Sequence, residues 1–331
     1  MSTAEGLLVR NTNILKKWRI LVTPTEACNS INSLPRKLLN EVELIPTYGR
    51  INNAKKLINL LDNKDAVVLD LERITTEVFK RCSNLKVISR FGEGCDAIDL
   101  KSAKDFGIKV TRTRGVSSLA VARHTMSLIL ALTHHVVDND RNLKKGLWIR
   151  KPNLSYEIIT IGILGFGKIG KAVADLAVSF GFKILVYTRK RSLAGYNYVN
   201  SLDELISLSD ILSLHLPFTS GTKRIISRGV IKKLKGKYLV NTARGRLVDE
   251  KVLLKSLSEE DGLAGYATDV FMYEPISDIS TQLAKHPKVI CTPHIAALDK
   301  VTNSKVTEHA VWNAVHCLKG EHDKVVSYVV E

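Results

Sequence analysis

Cysteine is scarce in this chain and never paired in spacing. Five cysteines occur in 331 residues (Cys28, Cys82, Cys95, Cys291 and Cys317), with no C-x-x-C among them. That excludes a disulfide framework and a thiolate zinc site, and it fits the reduced thiols of a cytoplasmic protein with no metal. Long apolar runs are missing too. The longest, Val116 to Val137, is broken by Arg123, His124 and Ser127, which excludes a spanning helix of about 20 apolar residues. The first residues hold no apolar segment before a small-residue cleavage site, so no secretory leader is expected. Acid is the scarcer charge, 33 Asp and Glu against 49 Lys and Arg, for a formal net charge of +16. The excess is scattered through Lys16-Lys17, Lys144-Lys145 and Lys232-Lys233-Leu234-Lys235. Without an arginine-rich tail or a nucleic-acid motif it reads as solvated surface, and no nucleic-acid partner is expected.

What is present is an alternation of strands and helices. The length exceeds one typical core, so two domains are the default. Short apolar strands read at Arg19–Val22, Glu43–Ile45, Ala66–Leu69, Lys86–Ser89 and Lys109–Thr111, with helical patterns at Ala54–Leu61 and Thr75–Arg81 between them. Such alternation predicts a parallel sheet covered on both faces. A long helix is expected over Val116–Val137, then a polar connection over Arg141–Asn153. A second series follows, with strands at Ile158–Leu164, Lys183–Tyr187, Ile211–Leu216, Tyr238–Asn241, Leu263–Ala267 and Val289–Cys291. Ser201 to Glu204 has the pattern of a capping box, and Val301–Leu318 that of an amphipathic helix. The expected fold class is α/β, two doubly wound parallel-sheet domains. A Rossmann domain over 112–298 is inserted into a flavodoxin-like substrate domain made of 1–111 and 299–331. The two crossings form a hinge, with a site in the cleft.

The most specific signal is Gly165-Phe166-Gly167-Lys168-Ile169-Gly170, which follows a strand and opens a helix. In that context Gly165 permits a tight turn, Gly167 lets the backbone approach phosphate, and Gly170 allows close helix–strand packing. The helix start, with Lys168 and Ile169, presents N–H groups to a pyrophosphate. One βαβ step later, Thr188-Arg189-Lys190-Arg191 is basic where an NAD-binding chain carries an acid for the ribose 2′-hydroxyl. Thr188, Arg189 and Lys190 therefore point to a 2′-phosphate, and NADP(H) is expected to be preferred, with NAD(H) use left open.

Three further motifs stand at strand ends: Asn241-Thr242-Ala243-Arg244-Gly245, Asp269 through Glu274-Pro275, and Thr292-Pro293-His294. With Arg90-Phe91-Gly92-Glu93-Gly94-Cys95-Asp96-Ala97-Ile98-Asp99 and the Leu216-Pro217-Phe218-Thr219 and Thr222 loop, the chain resembles the D-2-hydroxyacid dehydrogenases. That family includes the phosphoglycerate, glyoxylate/hydroxypyruvate and D-lactate dehydrogenases. The resemblance implies hydride transfer between a nicotinamide cofactor and a small 2-keto or 2-hydroxy acid, with Arg244, Glu274 and His294 as catalytic residues. The chemistry agrees. A guanidinium pairs a carboxylate bidentately, and a histidine held by a carboxylate donates a proton to a carbonyl oxygen as hydride arrives. The resemblance also places Leu216, Pro217, Thr222, Thr242, Ala243 and Asp269 on the cofactor, and Gly92, Glu93 and Gly94 on the substrate with Arg244 and His294. It implies a homodimer through the long helix.

The chain departs from the family in places. Leu69-Asp70-Leu71-Glu72-Arg73 lacks the Arg-Ser pair of phosphoglycerate enzymes. Arg112, Arg114 and Arg123 are unusual cations, read either as substrate contacts or as drift in a basic protein. His124, His134 and His135 are read as packing or solvent-facing, His215 as structural, and Cys291 as core. An NAD(P)(H)-gated co-repressor of the same fold is the alternative function.

Overall fold

The computed structural model describes residues 17–189 and 195–330. They divide into two compact units, one of 17–114 with 304–330, the other of the residues between. The first opens with β1 (Trp18–Val22), β2 (Val42–Pro46), β3 (Ala66–Leu69), β4 (Val87–Arg90) and β5 (Lys109–Arg112). The second contains β6 (Thr160–Leu164), β7 (Lys183–Tyr187), β8 (Asn197–Tyr198), β9 (Ile211–Leu214), β10 (Tyr238–Asn241), β11 (Gly265–Thr268) and β12 (Val289–Cys291). The chain re-enters the first unit within the helix Lys300–Lys319 and ends in β13 (Tyr328–Val330).

The first sheet has the order β13-β5-β4-β3-β1-β2, parallel except for β13, which runs antiparallel to β5. The parallel part is the flavodoxin-like winding. Its central strands are buried on both faces: every residue of β3 and β4 is inside. Such strands cannot alternate, because helices cover both faces. The second sheet has the order β12-β11-β10-β9-β6-β7-β8, all parallel, with its reversal between β6 and β9. That is the Rossmann winding, in which ligand crevices lie at the carboxyl ends of strands near the reversal.

Ser201 caps the helix Leu202–Leu208 by accepting from the N–H of Glu204 at 3.0 Å, while the Glu204 carboxylate accepts from the N–H of Asn200 at 2.7 Å. The long apolar segment differs from its expectation. It forms one helix over Ser118–Thr133, breaks, and forms a second over Val136–Lys144. At the break the N–H of His135 bonds Leu132, only three residues back, and His135 turns left-handed with φ 52°. Helical structure therefore continues to Lys144, into the stretch read as a polar connection. Periodicity could not show this, because the first helix is buried around much of its circumference. Ile158 also lies outside its expected strand, 70% exposed, and β6 begins at Thr160. Among the described residues no helix is long and apolar enough to cross a membrane.

Candidate active site

The glycine loop leaves β6 beside the reversal. Gly165 has φ +95°, and a Cβ there would stand 2.6 Å from the His215 carbonyl oxygen, so no side chain fits. A Cβ on Gly170 would strike the Gly165 carbonyl oxygen, which is the close packing of helix Lys168–Ser179 on its strand. Gly167, by contrast, faces open space. It is the N-cap of that helix and provides no side-chain cap, so the first N–H groups remain directed into that space. The result is a helix-start cradle of the kind that binds phosphate groups. The Lys168 side chain lies over Gly115, and Ile169 is half-buried behind the cradle. His215 supports the loop from below. Its ring meets the Ser213 hydroxyl at 2.8 Å, and desolvation pushes its pKa down to about 3.

The end of β7 stands next to this cradle, since the N–H of Gly165 donates to the Tyr187 carbonyl at 2.9 Å. Thr188, half-buried, and Arg189, exposed, follow directly. Lys190 and Arg191 lie outside the described residues. Beyond β9, Leu216 touches Gly165, while Thr222 holds its own loop. The Thr222 hydroxyl accepts from the N–H of Thr219 at 2.8 Å and donates to the Pro217 carbonyl at 2.7 Å.

Three loops at the ends of β10, β11 and β12 bring the catalytic candidates together. After β10, the Asn241 side chain accepts from the N–H of Ala243 at 3.0 Å and donates to the Arg244 carbonyl at 2.9 Å, which sets the turn. Gly245 is pressed against the backbone of Phe271 and Met272, so the β10 loop packs directly on the β11 loop. Thr242 meets Thr125 of the helix Ser118–Thr133, hydroxyl to hydroxyl, at 2.7 Å. After β11, Glu274 accepts from the N–H of Phe271 at 2.9 Å. Its other oxygen lies 2.6 Å from Nδ1 of His294, on the loop after β12.

Burial opposes ionisation of this pair and is the largest single influence on each member. The hydrogen bond and charge between them outweigh it: the His294 pKa is raised and that of Glu274 is lowered. Asp269 adds to the rise at His294, and the nearby Arg244 guanidinium works against it. Because the carboxylate occupies Nδ1, the proton on that nitrogen is fixed and Nε2 is left for a reacting oxygen. The His294 side chain keeps 37% of its surface open.

Asp269, only 1% exposed, organises the loop after β12. Its carboxylate accepts from the N–H groups of Ile295 and Ala296 at 2.8 and 2.9 Å and from the Thr292 hydroxyl at 2.5 Å. His124 completes this cluster, 2.9 Å from Thr292, so of the two readings the sequence allowed, packing or facing solvent, it packs. Only the interruption of an apolar helix by adjacent polar residues marked it in the sequence. Cys291 is half-buried, and burial pushes its thiol up, away from nucleophilic use.

In the first unit, the carboxyl end of β4 is organised around the buried Arg90. Its guanidinium pairs Asp70 at 2.7 Å and donates to the Gly94 carbonyl at 2.7 Å. Gly92 has φ +131°, and its N–H donates to the Thr113 hydroxyl at 3.0 Å. The N–H groups of Glu93 and Gly94 have no acceptor among the described residues. The Glu93 carboxylate turns to Arg114 at 4.0 Å, and Arg112 reaches the Ser327 hydroxyl at 3.2 Å. Arg123 acts on Asp299, whose carboxyl is held low chiefly by Thr302 hydrogen bonds against its desolvation.

Comparison with known proteins shows the family. The sequence profile of the D-isomer specific 2-hydroxyacid dehydrogenase NAD-binding domain matches residues 126–296. A glyoxylate reductase of Thermofilum pendens is 38% identical over 81% of this chain and 82% of its own length. A hydroxypyruvate reductase of Thermotoga maritima is also 38% identical, over 78% of this chain and 86% of its own. The crystal structure of D-lactate dehydrogenase from Aquifex aeolicus, complexed with NAD and lactic acid, superposes with a TM-score of 0.84. It is 29% identical and covers 94% of this chain and 99% of its own. The chain belongs to the D-2-hydroxyacid dehydrogenases, NAD(P)-dependent oxidoreductases acting on the CH–OH group of 2-hydroxy acids.

Proposed function

We propose that this enzyme reduces a small 2-keto acid of the glyoxylate or hydroxypyruvate kind, reversibly, with NADP(H) preferred over NAD(H). The observation that carries the reading is the 2.6 Å Glu274–His294 pair beside Arg244, on strand-end loops of the sheet that also forms the Gly165–Gly170 cradle. The open space at Gly167 and the uncapped helix behind it fit a pyrophosphate. When bound, the cofactor supplies the hydride in reduction and takes it up in oxidation.

The chain's own residues do the rest. Arg244 pairs the substrate carboxylate and turns the 2-carbon toward the hydride path. His294 donates its Nε2 proton to the carbonyl oxygen as that oxygen gains alkoxide character, and in oxidation takes it back. Glu274 keeps the imidazolium populated and its ring fixed. Thr242 and Ala243 line the cofactor side together with Leu216 and Pro217, whose loop Thr222 holds. Asp269 acts on the nicotinamide side mainly by shaping the loop that carries His294, since its oxygens already accept three protein hydrogen bonds. The first unit, taken by itself, offers an anion the N–H groups of Glu93 and Gly94.

The NADP(H) preference rests on Thr188 and Arg189 at the end of β7, neither of which brings a carboxylate against a 2′-phosphate. The test is kcat/KM for NADPH and NADH with glyoxylate and with hydroxypyruvate. NADPH is expected to lead, and Thr188→Asp to move the ratio toward NADH by about tenfold or more. A wild-type preference for NADH sinks the cofactor assignment, and no turnover of either keto acid sinks the substrate class. A homodimer is supported by exposed apolar side chains after the first long helix, Val136, Leu143, Leu147, Ile149 and Trp148, the last 81% exposed. Five free, dispersed cysteines support a cytoplasmic setting.

A further inference from the structure

One histidine that the proposed chemistry does not use stands against the catalytic loop. His124 extends from the helix Ser118–Thr133 with 19% of its side chain exposed. Its Nε2 lies 2.9 Å from Oγ1 of Thr292 and 3.6 Å from Oδ1 of Asp269. Thr292 Oγ1 is in turn 2.5 Å from the same carboxylate oxygen. An ionised carboxylate only accepts, so the Thr292 hydroxyl gives its one proton to Asp269. Oγ1 then has only lone pairs left, and His124 must donate from Nε2. The hydrogen bonds run one way, from His124 to Thr292 to Asp269.

Asp269 passes that order on to the catalytic residue. Its backbone carbonyl accepts from the N–H of His294 at 2.9 Å, and its carboxylate accepts from the N–H groups of the next two residues. His294 sits there at φ +56°, a left-handed conformation that a residue with a Cβ keeps only when its surroundings over-determine it. Glu274 fixes one nitrogen of the ring; Asp269 fixes the backbone beneath it.

We infer that His124 is a positioning residue for the reaction: through Thr292 it locks Asp269, and so holds the His294 backbone in the conformation that aims Nε2 at the substrate oxygen. The inference rests on the keto-acid reductase reading above. The field at His294 comes from Glu274 and Asp269, with Arg244 opposing them. A loosened Asp269 therefore weakens the hold on the imidazolium as well as its aim.

The test uses the full-length enzyme with glyoxylate and hydroxypyruvate. Replacing His124→Phe is expected to lower kcat about tenfold, since small misplacements at the reacting centre are costly. KM and the NADPH dissociation constant from fluorescence titration should stay within about twofold. The alkaline limb of kcat/KM should move to lower pH. His124→Gln, which keeps an N–H donor at similar reach, should recover most of kcat and return the limb. Thr292→Val should repeat the Phe result and Thr292→Ser should not, and this second pair decides the matter if the Phe variant fails to fold. Wild-type kcat and an unmoved limb in both His124→Phe and Thr292→Val overturn the inference, as does a Gln variant as impaired as Phe. A wild-type enzyme that turns over neither keto acid overturns the reductase reading itself, before any variant is compared.

Discussion

The two sheets are wound by the same rule but hold their strand-end loops by opposite charges. In the first unit a buried guanidinium, Arg90, binds carbonyls of the loop after β4, Gly94 among them. In the second unit buried carboxylates bind N–H groups. Asp269 takes those of Ile295 and Ala296, and Glu250, 3% exposed, takes that of Met272 and the Ser280 hydroxyl. The consequence is chemical. A cation that consumes carbonyls leaves N–H groups for an anion, as at Glu93 and Gly94. A carboxylate that consumes N–H groups, as Asp269 does those of Ile295 and Ala296, takes them away from a substrate carboxylate. On the proposed reading that work falls, in the second unit, to the Arg244 side chain.

The most damaging way to break this contrast is Asp269→Ala. Three donors lose their acceptor at a buried position, at roughly 1–3 kcal/mol for each one left unsatisfied. We expect the second unit to lose about 3 kcal/mol or more in chemical denaturation, and kcat to fall about a hundredfold. Unchanged denaturation and turnover would show that the loop after β12 needs no central acceptor. Arg90→Leu comes next. It leaves Asp70 unpaired and the loop after β4 without its clamp, at about 2 kcal/mol, and KM for the keto acid should rise more than kcat falls. Equal loss in both parameters would mean that the loop after β4 does not act in binding.

The mildest is a pH effect. The His294 pKa is raised above its ordinary value. Reduction needs the protonated ring, so its kcat/KM is held at low pH and lost as pH climbs through that raised pKa. Oxidation needs the neutral ring and gains over the same interval. Glu274→Gln removes the countercharge and leaves burial to pull the pKa down, so the alkaline limb of reduction should shift to lower pH. A limb that stays in place in the Gln variant would assign the titration to another group.

Much of this was legible along the chain. The glycine spacing at Gly165, Gly167 and Gly170 carries its own geometry, because only glycine tolerates the turn, the open approach and the close packing there. The proposed catalytic trio was named through resemblance, as three motifs at strand ends, and the structure places Glu274 on His294 with Arg244 near them. The break at His134–His135 was not, since a helix buried on many sides has no single apolar stripe to interrupt. What His124 packs against was not legible either, for a related reason. A lone histidine on an apolar helix has no local sign of what it meets, and its partner Thr292 is 168 residues away. Asp269 was visible as a motif residue, yet its acceptor role depends on loops that only folding assembles.

By itself the sequence determined what short-range chemistry can encode: the α/β alternation, the two windings, the dinucleotide loop and the residue types of a proton-transfer site. These depend on backbone torsion, hydrophobic pattern and spacing within a few residues. The tertiary structure alone decided which of those side chains meet. Nδ1 of His294 found Glu274, the His294 backbone found Asp269, and Thr292 found His124 because loops from β11 and β12 and the flank of a distant helix converge. Hydrogen bonds of that kind join residues whose separation along the chain says nothing about their distance in space.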